Sequence, residues 1–171
     1  MKPLLLSVLL LAACVPHVAS PDYWDDPMTL RADVSADRLA GRWYEIARFP
    51  TPFQTGCSHV TADYVPQPGG GLAVVNRCRR AGGVEQVAGK VMPAGPGQFR
   101  VTFEGVPLAG AYWIVDLSAD GRTLLVATPG RTAGWVLHRD RRMTPMELTA
   151  AAGVFDRNGY DVAALQRTDQ R

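Results

Sequence analysis

The feature that most constrains this chain is a succession of short β-type runs, each closed off by glycine, proline or another turn former. Eight can be read from Arg42 onward, over 42–49, 58–65, 72–79, 84–92, 98–104, 111–117, 123–128 and 133–139. Between them lie "PQPGGG", "RAGG", "PAGPG", "GVPLAG", "SADG" and "PGRTAG". Connections this short favour antiparallel neighbours, because a parallel pair needs a crossover of a dozen residues or more. Eight strands in such a meander can close into an up-and-down barrel, which removes both sheet edges and can enclose one small ligand.

One helix is predicted after the last strand. Thr144-Pro145-Met146-Glu147 supplies an N-cap threonine, a proline at the first helical position and a glutamate that completes a capping box. Met146, Leu148, Ala151 and Phe155 form the stripe expected to lie on an apolar wall, and Asn158-Gly159 supplies the left-handed stop. The expected fold is therefore mainly β: an eight-stranded antiparallel barrel with one C-terminal helix packed on its wall.

The N-terminus has a different character. "MKPLLLSVLLLAAC" places one lysine before an apolar run that is too short to span a bilayer but suits a signal peptide. Leu11-Ala12-Ala13-Cys14 resembles the bacterial lipobox, in which the cysteine becomes an acylated N-terminus. Cleavage after Ser20 is the competing reading, disfavoured because Pro21 would follow the cut. The expected organisation is a signal peptide over 1–13, a lipidated N-terminus and tether over 14–36, and one folded domain over 37–171. Tyr23 and Trp24 are the tether aromatics that could dock on the wall. A length of 171 residues suits a single domain, and a net charge of +2 with interspersed signs gives no stripe for nucleic acid.

Export implies an oxidising compartment. With Cys14 acylated, Cys57 and Cys78 remain for one disulfide, the alternative being two free buried thiols. Cys57 opens the second run and Cys78 ends the third, with "PQPGGG" near their midpoint. In a hairpin such positions lie close together, although direct opposition is not assured by spacing alone.

Three stretches carry a family resemblance. Gly41-Arg42-Trp43-Tyr44-Glu45-Ile46-Ala47-Arg48 resembles the first motif of the lipocalins, with the extension found in bacterial outer-membrane lipoprotein lipocalins. Trp135-Val136-Leu137-His138-Arg139 resembles the third motif, and the terminal helix with "NGYDVAAL" resembles the bacterial group. The similarity runs from about Asp37 to Leu165. One departure is that Leu117-Ser118-Ala119-Asp120 stands where the second motif carries T-D-Y, leaving Asp120 to cap a shifted turn. The resemblance implies that Gly41, Trp43 and Arg139 are structural. Trp43 would close the barrel floor under the Arg139 guanidinium, a cation–π contact, with the guanidinium also donating to floor carbonyls.

Alternation puts Trp43, Glu45 and Ala47 on one face of the first strand and Tyr44, Ile46 and Arg48 on the other. On the family's register the inward positions include Val60, Ala62, Tyr64, Asn76, Val87, Gly89, Phe103, Tyr112 and Trp135. Ala62 and Gly89 would leave volume, and the lining suits a ligand with an alkyl body and one polar end. A barrel filled by its own aromatics is the alternative. The candidate ligand contacts are Glu45, Tyr64, Asn76, Phe103, Tyr112 and Trp135.

Catalytic spacings are missing from the sequence. His17, His59 and His138 stand far apart, with no H-x-x-H, H-E-x-x-H, C-x-x-C or G-x-S-x-G. Gly69-Gly70-Gly71 reads as a hairpin turn rather than a phosphate loop. Glu45 is left as a lone candidate acid or base, so no catalytic residue, metal ligand or cofactor is assigned. The expected function is binding, transport or storage of small amphiphilic lipids such as fatty acids or lysophospholipids. The resemblance places the protein at the outer membrane, facing the periplasm on its lipid anchor, with a homodimer left open. A lipid-modifying lipocalin-like enzyme and an envelope interaction module are the rival readings.

Overall fold

A computed structural model describes residues 27–171; the expected signal peptide, Cys14 and the aromatics Tyr23 and Trp24 lie outside the described residues. Eight consecutive strands form the barrel: β1 (Gly41–Arg48), β2 (Ser58–Pro66), β3 (Leu72–Arg80), β4 (Gly83–Gly95), β5 (Gln98–Phe103), β6 (Gly110–Leu117), β7 (Thr123–Ala127) and β8 (Gly134–His138). Each pairs antiparallel with the next, and β1 pairs with both β2 and β8, which closes the sheet. The expected runs coincide with these strands to within one to three residues at each end. A two-residue strand, β9 (Gln166–Arg167), adds to the far end of β1, where β1 has parted from β2.

The strand directions define two ends. Residues 49–57, 81–82, 104–109 and 128–133 connect strands at one end, called the mouth. Residues 67–71, 96–97 and 118–122 connect them at the other, the closed end, beside a 3₁₀ turn over Ala36–Leu39. Packing on the barrel wall starts upstream of Asp37. Arg31 donates its backbone N–H to the Ile114 carbonyl at 2.9 Å, and Val34 is buried.

The helix α1 (Pro145–Arg157) begins as its cap predicts. Glu147 N–H donates to Thr144 Oγ1 at 3.2 Å, and Thr144 N–H donates to Glu147 Oε2 at 2.7 Å. Gly159 provides the positive φ, +77°, just past the end. Ala151 and Phe155 are buried against Ile46, Val115, Leu125 and Val136, forming a second core between helix and wall. Met146 does not join it and is exposed. At about 100° per residue it lies some 140° around the helix from Ala151, facing solvent.

Two bulges reset the alternation. In β1 the register with β8 shifts between Glu45 and Ala47, and in β6 the register with β7 shifts between Ile114 and Asp116. Ile46 and Ala47 consequently both pack in the outer core. Arg48 returns to the inner face with Glu45, contrary to the simple alternation that put it outside. The second bulge similarly lets both Ile114 and Leu117 face the lumen.

Candidate ligand-binding lumen

The closed end is plugged. Trp43 is fully buried, and its indole N–H donates to the Leu39 carbonyl at 2.7 Å. The Arg139 guanidinium carbon sits 3.6 Å from the Trp43 ring centroid. Its Nη1 donates to the Arg42 carbonyl at 2.9 Å and its Nη2 to that of Ala40 at 2.8 Å. Gly41 has φ +94°, and a Cβ there would lie 3.2 Å from Arg139 Nη1, so both backbone and neighbour call for glycine. Asp120, in the departing turn, accepts from Arg122 N–H at 3.1 Å and from the Ser118 hydroxyl at 2.6 Å, a local cap as expected.

Burial along the lumen is graded. Toward the closed end Leu39, Trp43, Leu72, Val91, Leu117 and Leu124 expose nothing. Midway, Tyr64 and Tyr112 reach across from β2 and β6, their hydroxyls 2.9 Å apart and their rings edge to face. Burial raises the Tyr64 phenol to about 12 and pushes Tyr112 well above its ordinary value, with the Tyr64 neighbour adding to the latter. Both therefore stay neutral and serve as a hydrogen-bonding pair. Toward the mouth, Asn76, Val87, Val101, Phe103 and Trp135 are only partly buried.

Two features of this half differ from the sequence expectation. Gly89 does not leave space: a Cβ there would run into the Thr102 carbonyl and lie 2.7 Å from Phe103 Cδ1, so the neighbouring strand's backbone and ring occupy the position. Asn76 lies in the inward row Trp43–Ala62–Asn76–Val87, and its Oδ1 is buried without a hydrogen-bond partner among the described residues. A buried acceptor without a donor is costly, and it marks a point where a donor would be stabilised.

Glu45 is not a lone carboxylate. It is 2% exposed, and its Oε1 accepts from Arg48 Nη1 at 2.7 Å and from the Thr168 hydroxyl at 2.5 Å. Its Oε2 accepts from Gln54 Nε2 at 2.7 Å. Gln54 Oε1 in turn accepts from the Trp135 indole N–H at 2.8 Å. Gln170 Nε2 donates to the Glu45 and Val60 carbonyls at 2.9 and 2.8 Å, bridging β1 and β2 where they have separated. This network ties the mouth connection 49–57 and the C-terminal tail to β1. With both oxygens engaged, Glu45 anchors this network and, through Gln54, orients Trp135.

Cys57 and Cys78 form the disulfide, with Cα atoms 5.3 Å apart at the mouth end of β2 and β3. They are not direct register partners, since β2 is irregular between Ser58 and Thr61 and His59 takes φ +50°. His138 is buried on the outer side of β8, where burial lowers its basicity. Among the described residues no cluster of His, Cys, Asp and Glu could hold a metal. The lumen thus brings together Tyr64, Tyr112, Phe103, Asn76 and Trp135 as expected. Arg48, Gln54, Thr168 and Gln170 were missed, because they reach the site through a bulge, a loop and the chain end.

A family model for the lipocalin-like domain matches residues 34–170. The outer membrane lipoprotein Blc of Escherichia coli K12 is 33% identical over 141 residues, spanning 80% of this chain and 79% of its own length. Temperature-induced lipocalin-1 of Arabidopsis thaliana is 29% identical over 148 residues, spanning 80% of each chain. Lobster apocrustacyanin A1 superposes with a TM-score of 0.68 at 16% identity, covering 79% of each chain, a likeness of fold. The closed antiparallel barrel, its tryptophan floor and these matches agree: the chain belongs to the lipocalin family.

Proposed function

We propose that this protein is a lipid-anchored binding protein of the bacterial outer membrane that holds one small amphiphile in the mouth half of its barrel. The observation that carries this reading is the burial gradient. The closed half is filled by its own side chains, whereas the mouth half is lined by partly accessible Val87, Val101, Phe103 and Trp135. An alkyl chain fits against those residues, and its polar end has the unpartnered Asn76 carbonyl and the Tyr64–Tyr112 hydroxyls to meet. Burying roughly 300 Å² of acyl surface would contribute about 7 kcal/mol before binding costs are subtracted. A lysophospholipid matches that chemistry with a glycerol hydroxyl that can donate to Asn76 Oδ1, and a fatty acid does so by accepting from a Tyr64 or Tyr112 hydroxyl. In this reading the anchor is Cys14 and the barrel faces the periplasm; relatives named as outer membrane lipoproteins support the choice of membrane.

Native mass spectrometry of ligand-free protein mixed with lysophosphatidylethanolamine tests the reading. A one-to-one adduct that Phe103→Asp abolishes, with the fold retained by circular dichroism, is the expected result. An adduct unaffected by Phe103→Asp, or none with any amphiphile, would count against it.

A further inference from the structure

Among the described residues seven large apolar side chains are exposed, and three of them, Val65, Met92 and Met146, lie toward the closed end. Four stand on three mouth segments: Phe53 in 49–57, Val84 at the tip of the β3–β4 hairpin, and Val106 and Leu108 in 104–109. Leu108 is 79% and Phe53 67% exposed. The connections at that end carry little charge, and Arg79, Arg80 and Glu85 flank the β3–β4 tip. The four mouth connections contain one acid, Glu104, and one base, Arg131. At the closed end the hairpin connections carry Asp120 and Arg122, and the connection after β8 adds Arg139, Asp140, Arg141 and Arg142. An end that gathers apolar tips on three segments is suited to an apolar neighbour.

The course of the N-terminal segment indicates which neighbour. Thr29 N–H donates to Asn158 Oδ1 at 2.8 Å, at the end of α1 where Arg131 of the mouth connection donates to the Asn158 carbonyl. From there the chain runs toward the closed end, where Arg31 Nη1 reaches the Leu117 carbonyl at 2.8 Å and Leu39 lies under Trp43. The chain upstream of Thr29 is therefore attached on the mouth side of the wall. Twelve residues, Val15 to Asp26, separate the lipidated Cys14 of the proposed function from the described chain. Extended, they span about 40 Å. A mouth turned to the anchoring bilayer needs little of that length, and a mouth turned away needs the tether to pass the whole barrel.

We infer that the mouth rim, Phe53, Val84, Val106 and Leu108, is a membrane-docking surface that seats the lumen against the bilayer holding the anchor. A ligand then passes between bilayer and lumen with little exposure of its acyl chain to water. The inference rests on the lipid anchor of the proposed function, and it assigns that anchor an orientation.

The test uses the full mature chain, its N-terminal acylation verified by intact mass, reconstituted in phosphatidylethanolamine–phosphatidylglycerol vesicles. Single cysteines are introduced at Phe53 and Leu108, and at Val65 and Met92, exposed positions on strands near the closed end. Each is labelled with a nitrobenzoxadiazole fluorophore, and nitroxide-bearing lipid is added to the bilayer. At least a twofold quench at 53 and 108, with little at 65 and 92, is the expected result. Quenching at neither mouth position, or equally at all four, would overturn the inference. So would a label at 108 that is shielded without lipid quenching and crosslinks to a second copy, because the rim would then be a dimer contact. Amphiphile binding measured on the same samples by native mass spectrometry keeps failure of docking distinct from failure of the binding function.

Discussion

Arg48→Met is expected to destabilise the protein far more than its place near the barrel mouth suggests. Arg48 Nη1 lies 2.7 Å from Glu45 Oε1 and 2.9 Å from the Thr168 hydroxyl, and Nη2 donates to the Gln54 carbonyl at 3.1 Å. The pair is almost wholly removed from water, with Glu45 2% exposed. Removing one partner of a buried pair leaves an uncompensated charge and costs about 3–5 kcal/mol. Gln54 and Thr168 still donate to the orphaned carboxylate, which places Arg48→Met at the lower end, about 3 kcal/mol. Glu45→Met strands the guanidinium and should cost about the same. The double variant leaves no buried charge, so its loss should fall to about 2 kcal/mol for the Gln54 and Thr168 donors left without the carboxylate, a coupling of about 4 kcal/mol. Urea unfolding of the oxidised protein at neutral pH, with linear extrapolation for all four species, measures the cycle. Single losses below about 1 kcal/mol, or a double loss equal to their sum, would refute the reasoning.

Other consequences are more local. Arg139→Met removes the cation over Trp43 and leaves the Ala40 and Arg42 carbonyls without their donor; a loss of about 2 kcal/mol in the same urea assay is expected. Tyr64 ionises near 12 in the folded chain, against about 10 unfolded, so its contribution is present below pH 10 and is lost as pH rises to 12. Tyr64 alone accounts for a loss of about 3 kcal/mol across that window, to which Tyr112 adds, so Tyr64→Phe should make the slope shallower without abolishing it in pH-dependent unfolding. Reducing Cys57–Cys78, whose partners are 21 residues apart, should lower the unfolding free energy by about 3 kcal/mol in dithiothreitol.

What could be read from the chain alone follows the range over which each interaction acts. The strands and the Thr144–Glu147 cap depend on residues a few positions apart, so their patterns are local and were legible. Trp43 and Arg139 were legible because a family resemblance supplied their distant contact. The side of the sheet taken by Arg48 was not legible, because the bulge after Glu45 leaves no mark in a period of two. Gly89 read as open volume because its occupant, Phe103, comes from the neighbouring strand. Thr168 and Gln170 gave no signal at all, since they meet Glu45 across more than a hundred residues. Met146 failed a simpler test, the helical angle to Ala151.

The proposed function requires an amphiphile in the mouth half of the lumen beside Trp135. Titration with a fatty acid brominated along its chain tests this most directly, because bromine quenches only nearby indoles. Trp43 lies at the sealed floor and Trp113 points out of β6, so three tryptophans of the barrel report three places. Saturable quenching that Trp135→Phe abolishes and Trp113→Phe leaves intact is the expected result. Quenching that survives Trp135→Phe and disappears in Trp113→Phe would put the ligand on the outer wall and contradict it.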